Sequence, residues 1–414
     1  MKSGGHTTAL MRGGCAGLLG LALLAGAGAS AAECSGPWDV TALETVPPAI
    51  WGQTHGLLQE VVFEGEPLQN QPTRVFAYYG RPEGEGPFPG VVLVHGGGGT
   101  AFPDWVRHWV QRGYAAIAMD LNGHGPGGRL PEGGPPMNDA AIFRDFTGDE
   151  VREMWTYHAV AAIIRAHSLL RARTEVDPRR TAITGISWGG YLTGIVAGLD
   201  HRFKAAVPVY GCGFIHENSC WVAPYFSRMS AEQRQRWAEQ FDPSRYLPQV
   251  QCPMLFVNGT NDFAYPLDSY RKSYRLVRSP VTIAVEINRP HSHIWTFREV
   301  DAFVDSQLGD GSPLPELGEL QVAGATVSAA VNATIPITQA ELCFTTDAGP
   351  WKDRHWQSAA AELAGDRVTA RLPDARPLVC YLRVTDERGL AVSTAHLALP
   401  LPDTGEQDER KHDE

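Results

Sequence analysis

Several features are missing from this sequence of 414 residues. It has no cluster of Lys and Arg, and its formal net charge is −11, so a nucleic-acid surface or a basic membrane patch is not expected. It has no Cys-x-x-Cys motif or close Cys/His group, so neither a metal site nor another cofactor is predicted. Beyond the N-terminus it has no apolar run long enough to span a bilayer, which predicts a soluble mature protein without a membrane partner.

The first 32 residues resemble an export signal. Basic side chains precede the apolar run AGLLGLALLAGAGA, and small residues follow it. We expect cleavage near Ala31 or Ala32 and a secreted or periplasmic protein. A buried N-terminal helix is disfavoured because the run is rich in glycine. A lipid anchor on Cys34 is disfavoured because Glu33 stands where a small residue is required.

Cysteine is scarce, and six of the seven cysteines lie beyond the predicted signal. An even number in an exported chain predicts disulfides, although spacing does not determine their connectivity. The predicted pairs are Cys212–Cys220, Cys343–Cys380 and, by default, Cys34–Cys252. The alternative is a set of free buried thiols.

Residues 33–310 alternate between buried apolar strands and helical segments. Strand-like runs such as GVVLVHGGGG, AAIAMDLNGHG and RTAITGIS are separated by helical stretches such as DEVREMWTYHAVAAIIRAHSLL. This order predicts an α/β fold with a mostly parallel sheet and helices on both faces. Residues 212–248 are polar and aromatic, and we interpret them as an insertion that covers the site or forms a lid.

A second unit follows the Pro/Gly-rich stretch GDGSPLPELGE. From 318 to 402 apolar residues alternate with period two between turn residues, as in DRVTARLP and VCYLRVTDERG. This pattern predicts a small antiparallel β-sandwich. The charged tail 403–414 is predicted to be disordered.

A candidate nucleophile stands in the stretch ITGISWGGYLTG. Gly185-Ile186-Ser187-Trp188-Gly189 is a Gly-x-Ser-x-Gly motif with a strand before it and a helix after it. Such a turn strains the backbone of the serine and projects its hydroxyl above the carboxyl ends of the strands. We therefore predict that Ser187 is a nucleophile.

A serine hydroxyl needs a base, and the base needs a carboxylate that orients it. In this architecture the chain order is nucleophile, acid, histidine. Asp262 ends a strand in VNGTNDFAYP and is the predicted acid. NRPHSHIW then offers His291 and His293. His293 is preferred because it leaves more loop after Ile287, with His291 as an alternative base or a supporting contact.

The oxyanion formed on attack needs two backbone N–H donors. Trp188, directly after the nucleophile, is predicted to supply one. The loop HGGGG supplies the other, with Gly97 preferred and Gly96 or Gly98 possible. His95 is interpreted as a structural residue of this loop.

The motif around Ser187, the HGGGG loop, GTNDFAYP and the late histidines resemble the α/β-hydrolase superfamily. More narrowly, VDPRRTAITGISWGGYLTGIVAGLDHRFKAAVPVYGCGF resembles secreted bacterial acetyl xylan esterases and dienelactone-hydrolase-like enzymes, which border on the prolyl-oligopeptidase type. The resemblance covers about residues 70–308. It implies an α/β-hydrolase fold and ester hydrolysis through an acyl-enzyme.

The resemblance implies a substrate of small-molecule or polysaccharide esters, with acetylated carbohydrate favoured. Trp221 and Trp295 lie close in sequence to predicted rim positions, and aromatic rings suit sugar rings, so both are candidate substrate contacts. The oligomeric state stays open.

Two other functions remain. A serine peptidase of the prolyl-oligopeptidase kind would use the same triad, although such enzymes usually carry a large N-terminal propeller and the leader here is short. The predicted β-sandwich is compatible with an inactive secreted carbohydrate-binding protein. Such a protein would not need the nucleophile, the acid, the histidine or the glycine loop.

Overall fold

The structure is a computed structural model, and it describes Met1 and residues 35–399. The predicted signal peptide beyond Met1, Cys34 and the predicted disordered tail lie outside the described residues. Cys34 of the predicted pair Cys34–Cys252 and the predicted cleavage site therefore lie outside the described residues.

Nine strands form the main sheet, in the order β1-β2-β3-β5-β4-β8-β9-β10-β11. The six strands from β5 to β11 in this order pair in parallel, whereas β1, β2 and β3 join antiparallel. The strands up to β11, including the small hairpin β6–β7, are β1 Ala49–His55, β2 Leu58–Glu64, β3 Arg74–Gly80, β4 Phe88–Val94, β5 Ala115–Met119, β6 His124–Gly125, β7 Gly128–Arg129, β8 Val176–Ile186, β9 Ala205–Val209, β10 Met254–Gly259 and β11 Val281–Glu286.

Helices cover this sheet, as the alternating pattern predicts. They are α1 Val40–Leu43, α2 Pro103–Gln111, α3 Asp139–Phe143, α4 Trp155–Arg171, α5 Trp188–Leu199, α6 Ala231–Phe241, α7 Leu267–Tyr274 and α8 Arg298–Leu308. In the described part of the chain, none of them is long and apolar enough to cross a membrane.

The central strands of the main sheet are fully buried. All residues of β5, β9 and β10 are buried, and so is every residue of α5. Strands covered on both faces read as continuous apolar runs, which is how these segments read in the sequence. Small residues allow α5 to be enclosed: a β-carbon on Gly198 would lie 2.3 Å from the carbonyl oxygen of Tyr246.

Two further antiparallel sheets lie near the C-terminus. One has the order β12-β14-β18-β17 with β13 on β14, and the other has the order β16-β15-β19-β20 with β21 on β19. Their strands are β12 Glu316–Leu317, β13 Gln321–Ala323, β14 Thr326–Asn332, β15 Ile337–Thr345, β16 Gln357–Ala360, β17 Glu362–Ala364, β18 Arg367–Arg371, β19 Leu378–Asp386, β20 Ala391–Ser393 and β21 Leu397–Leu399. The predicted fold class, an α/β-hydrolase fold with C-terminal antiparallel sheets, is confirmed.

The C-terminal sheets pack against the edge of the main sheet. Ser393 in β20 accepts a hydrogen bond from the backbone N–H of Val285 in β11, at 3.1 Å. Residues of both parts share one buried apolar cluster, which includes Phe303 of α8 and Val392 of β20. This contact matters for the site because β11 leads directly into the loop that carries the histidines.

The five cysteines within residues 35–399 are all free, which corrects two predicted disulfides. Cys343 in β15 lies opposite Tyr381, and Phe344 lies opposite Cys380 in β19. Directly opposed residues share a face and successive residues alternate, so the two thiols point to opposite faces of the sheet. Cys212 is buried, whereas Cys220 is exposed.

Candidate active site

Ser187 lies at the turn between β8 and α5 in a strained backbone conformation. Its φ is 60° and its ψ is −120°, a region that side chains with a β-carbon rarely occupy. Its N–H donates to the carbonyl of Val209 at 2.8 Å, which holds the turn against the end of β9. The residue is 8% exposed. The structure therefore places Ser187 as the motif predicts, at the carboxyl edge of the parallel sheet.

The glycines of the motif are required by close approach of backbones. A β-carbon on Gly185 would lie 2.3 Å from the carbonyl oxygen of Gly189. A β-carbon on Gly189 would lie 2.1 Å from the carbonyl oxygen of Val94. Both distances are far below van der Waals contact, so a larger residue at either position would push α5 away from the sheet and displace Ser187.

Asp262 is buried just after β10, and both of its carboxylate oxygens accept hydrogen bonds. One carboxylate oxygen, Oδ1, accepts the N–H groups of Ala264 and Tyr265 at 2.9 and 2.8 Å. The other, Oδ2, accepts a hydrogen bond from Nδ1 of His291 at 2.7 Å. The backbone bonds fix the carboxylate in place, so that it orients the imidazole it contacts.

The partner of Asp262 is thus His291, which corrects the preference for His293. Asn288, two residues after the end of β11, has φ 55°, so the chain bends there in a left-handed conformation. The loop therefore reaches Asp262 at His291, two residues earlier than the number of residues after Ile287 suggests. Nε2 of His291 has no hydrogen-bond partner within residues 35–399, which leaves it available for a hydroxyl.

Tyr210 holds the ring of His291. The two rings stack with their centroids 4.5 Å apart, and the Tyr210 hydroxyl donates to the carbonyl of Pro290 at 2.6 Å. Burial raises the pKa of Tyr210 well above its ordinary value, so this hydroxyl keeps its proton. Tyr210 also directly follows Val209, the residue that anchors Ser187. Nucleophile and histidine are in this way fixed to the end of the same strand.

His293 lies close to the nucleophile. A β-carbon on Gly96 would meet Nε2 of His293 at 2.7 Å and Cβ of Ser187 at 2.9 Å. This Nε2 is buried and has no hydrogen-bond partner in the described part of the chain. Burial, assisted by the neighbouring His291, lowers the pKa of His293. His293 is therefore a neutral imidazole beside Ser187 without a carboxylate partner.

His95 stabilises the glycine loop after β4 by hydrogen bonds. Nδ1–H of His95 donates to the carbonyl of Gly96 at 2.8 Å, and Nε2 accepts the N–H of Leu121 at 2.9 Å. Burial lowers the pKa of His95, which keeps it neutral and able to do both. The structural interpretation of His95 is confirmed.

Gly97, one of the two residues predicted to supply oxyanion donors, lies close to the side chain of the other, Trp188. A β-carbon on Gly97 would be 3.2 Å from Cδ1 of Trp188. Trp188 is the first residue of α5, and N–H groups in the first turn of a helix have no acceptor within the helix. The loop and the helix start therefore meet next to Ser187, where two N–H groups could receive an oxyanion.

The two tryptophans predicted to contact substrate have different surroundings. Trp221, in the insertion, is half-buried and lies 4.6 Å from the ring of Trp188 and 5.1 Å from that of Tyr265. Trp295 belongs to a packing cluster on α2: its ring is 5.5 Å from that of Trp105, and its Nε1–H donates to Asp301 at 3.0 Å. Both side chains are half-buried, so both remain candidates, Trp221 beside Trp188 and Trp295 against α2.

Sequence reasoning missed Tyr210 and Phe263. Tyr210 follows β9 at the carboxyl edge of the sheet, a position at which ligand-facing residues of α/β folds gather. Phe263 follows the acid, and its ring lies 5.0 Å from that of His291. Position at a strand end was the available signal for both.

The sequence matches two families of hydrolases. The Prolyl oligopeptidase family matches residues 144–299, and the acetyl xylan esterase family (AXE1) matches residues 58–217. Among solved structures, acetyl xylan esterase from Paenibacillus sp. R4 is 24% identical with a TM-score of 0.54, covering 65% of this chain and 92% of that one. Acetyl xylan esterase 1 from Thermoanaerobacterium sp. is 18% identical with a TM-score of 0.51, covering 64% and 94%. These structures show the fold.

Two curated relatives differ in kind. Acetyl esterase Axe7A of Xylanibacter ruminicola is 22% identical over 250 residues, which cover 55% of this chain and 54% of that protein. Uncharacterized peptidase YuxL of Bacillus subtilis is 25% identical over 199 residues, which cover 45% of this chain and 28% of that protein. The chain thus spans about half or less of the length of these relatives.

The chain thus has the α/β-hydrolase fold, with Ser187 in a strained turn, and two of its segments are similar to families of hydrolases. Within that fold class it is acetyl xylan esterase-like, as the sequence resemblance predicted.

Proposed function

We propose that the protein hydrolyses carboxylic esters with Ser187 as nucleophile, His291 as base and Asp262 as the residue that orients His291. The observation that carries this proposal is the 2.7 Å contact between Nδ1 of His291 and the buried carboxylate of Asp262. Ser187, in its strained turn, is bonded to Val209, and the next residue, Tyr210, stacks on His291. A carboxylate on Nδ1 selects the tautomer whose Nε2 can accept a proton, and it stabilises the imidazolium that results.

The reaction takes place in two halves. Nε2 of His291 removes the proton of Ser187 while the oxygen attacks the ester carbonyl, and the N–H groups of Gly97 and Trp188 receive the oxyanion. His291 then gives its proton to the departing alcohol, which leaves an acyl-Ser187. Water, deprotonated by His291, releases the acid and restores the hydroxyl. Losing one oxyanion donor typically costs about 2.7–4 kcal/mol of transition-state stabilisation.

The substrate proposed is an acetyl ester on carbohydrate. Support comes from the match to the acetyl xylan esterase family over residues 58–217 and from the half-buried Trp221 near Trp188. A peptidase is the second candidate, favoured by the match to the Prolyl oligopeptidase family over residues 144–299. Both would use the same three residues, so only substrates separate them.

The test compares three substrates with one protein. Acetate release from acetylated xylan and hydrolysis of p-nitrophenyl acetate are expected, whereas Xaa-Pro amides are expected to stay intact. Ser187→Ala should lower kcat by about 10⁴-fold or more. Ser306→Ala, on α8, is the matched control and should keep full activity. Cleavage of the amides without acetate release would overturn the esterase in favour of the peptidase.

We also propose that the protein is exported. Support comes from the sequence of residues 1–32 alone, with its apolar run and small residues before Cys34. N-terminal sequencing of protein from the periplasm or the medium should find a chain that begins near residue 32 or 33. An intact N-terminus on a cytosolic protein would contradict export.

A further inference from the structure

A cavity of about 390 Å³ lies beside the acid of the proposed triad. Three segments line it: 218–220 of the insertion, the loop after β10 at Asp262 and Phe263, and 350–352 of the C-terminal sheets. Its size falls within the range of pockets that hold small molecules. The C-terminal unit thus contributes a wall to a pocket next to the site.

The wall from the C-terminal unit is tied to the loop that carries the acid. The side-chain amide of Asn261 donates to the backbone carbonyls of Lys352 and Arg354, at 3.0 and 2.7 Å. The guanidinium of Arg354 covers the ring of Trp351 at 3.9 Å. Asn261 is the residue directly before Asp262, so the position of Trp351 is fixed relative to the acid.

Two residues that line the cavity, Asp262 and Phe263, contact or lie near His291. Phe263 lines the cavity with a ring that is 57% exposed and lies 5.0 Å from the ring of His291. In the proposed reaction His291 hands its proton to the departing alcohol, so that alcohol has to lie next to the imidazole. The cavity is lined by Asp262, which binds this imidazole, and by Phe263, which packs near it, so the rest of the alcohol would extend past Phe263 into the cavity.

We propose that this cavity binds a sugar ring of the alcohol part of the substrate, and that the C-terminal unit thereby contributes to specificity. Phe263 and Trp351 offer the aromatic surface that pyranose rings pack against, and the exposed Lys352 can donate to sugar hydroxyls. This inference rests on the proposed function, since it assigns the sugar side of an ester that Ser187 attacks.

The test measures a specificity ratio in the full chain. The quantity is kcat/KM for an acetylated xylo-oligosaccharide divided by kcat/KM for p-nitrophenyl acetate, which has no sugar. Trp351→Ala should lower this ratio roughly 3- to 10-fold, mainly through KM for the oligosaccharide. Leu363→Ala, at a 38% exposed residue of β17, is the control and should leave the ratio unchanged.

Lys352→Ala is a second variant that guards against misfolding. Its side chain is exposed, and its bond to Asn261 uses the backbone carbonyl, so the fold is retained. It should lower the same ratio by a smaller factor. Wild-type ratios in both Trp351→Ala and Lys352→Ala would overturn the inference while leaving the esterase proposal intact.

A binding measurement separates the two proposals. Calorimetry with deacetylated xylo-oligosaccharide and Ser187→Ala protein should show binding that Trp351→Ala in the same background weakens. If the wild-type protein releases no acetate from glycans but this binding pattern is found, the proposed function fails and the sugar pocket stands. Undetectable binding, together with unchanged ratios, would remove the pocket.

Discussion

Two histidine–aspartate pairs in this protein have the same contact distance and opposite surroundings. Nδ1 of His291 lies 2.7 Å from Asp262, and Nδ1 of His167 lies 2.7 Å from Asp200. Each pair also has a hydroxyl residue in its neighbourhood. The resemblance to a catalytic triad is therefore not decided by the distance between histidine and carboxylate.

The two pairs differ in the hydrogen-bond partner of Nε2, the second imidazole nitrogen. Nε2 of His167 accepts the hydroxyl of Thr181 at 2.9 Å, and both His167 and Asp200 have wholly buried side chains. The side chain of His291 is 15% exposed, and its Nε2 has no partner within residues 35–399. The comparison indicates that a histidine–aspartate pair can serve catalysis when its Nε2 is left without a partner at the edge of the sheet that carries the nucleophile.

The largest effect is expected on turnover when the His291–Asp262 pair, here called the open pair, is changed. His291→Ala removes the proposed base, and it should lower kcat/KM for p-nitrophenyl acetate by about 10³- to 10⁴-fold, whereas the melting temperature should change little. Esterase kinetics together with thermal unfolding check this. Full activity in His291→Ala would break the comparison, because the open pair would then be as inert as the closed one.

The His167–Asp200 pair, here called the closed pair, should behave in the opposite way: its loss should affect stability and not turnover. His167→Ala leaves the Asp200 carboxylate buried without one of its partners, although Arg202 still binds it. The loss of this partner should cost about 1–3 kcal/mol of unfolding free energy. Below its lowered melting temperature the folded variant should keep wild-type kcat. Chemical denaturation and esterase assays on the same preparation measure both. A loss of kcat in well-folded protein would contradict a purely structural role.

Lowering the pH should reduce the free energy of unfolding through the buried His167–Asp200 pair. Burial lowers the pKa of His167, so the folded protein holds it neutral while the unfolded chain takes up a proton below about pH 6.5. Stability from this group is complete above that pH and is lost as the pH falls. His95, His158 and His396 act in the same direction, with the pKa of His158 lowered to about 4 and that of His396 to about 3.

The contribution of His167 can be isolated by substitution. His167→Gln should flatten the decline of unfolding free energy between pH 6.5 and 5 by up to about 1.4 kcal/mol per pH unit, the value for one proton. Denaturant titrations of wild type and variant at several pH values measure the slopes. Equal slopes would mean that His167 is already protonated in the folded state.

The smallest effect is expected at the second histidine of the loop. His293 borders Ser187 but has no carboxylate partner, so it lacks the group that stabilises an imidazolium. His293→Gln should therefore lower kcat/KM by less than about 10-fold, far less than His291→Ala. Steady-state kinetics of the two variants side by side decide this, and a larger loss in His293→Gln would reverse the assignment.

The sequence predicted those features that depend on local pattern. Ser187 and Asp262 follow strands whose apolar runs are unmistakable, so their positions at the sheet edge could be inferred without coordinates. The choice between His291 and His293 depends on the left-handed turn at Asn288, which loop length does not report.

Other misses depend on register and long-range packing. The faces of Cys343 and Cys380 follow from which residues of β15 and β19 are opposite each other, a relation between segments far apart in the chain. The packing of Trp295 depends on Trp105 of α2, nearly two hundred residues earlier. The cavity beside Asp262 requires the C-terminal unit to pack onto the acid loop, which a pattern within either segment does not encode.

The most direct test of the account is covalent labelling of Ser187 by a fluorophosphonate, followed by peptide mass spectrometry. The account predicts rapid phosphonylation of Ser187 in the wild type and in His293→Gln, and almost none in His291→Ala. Fast labelling of Ser187 in His291→Ala, with slow labelling in His293→Gln, would contradict the assignment of His291 as the base. Absence of labelling in folded wild-type protein would contradict the nucleophile itself.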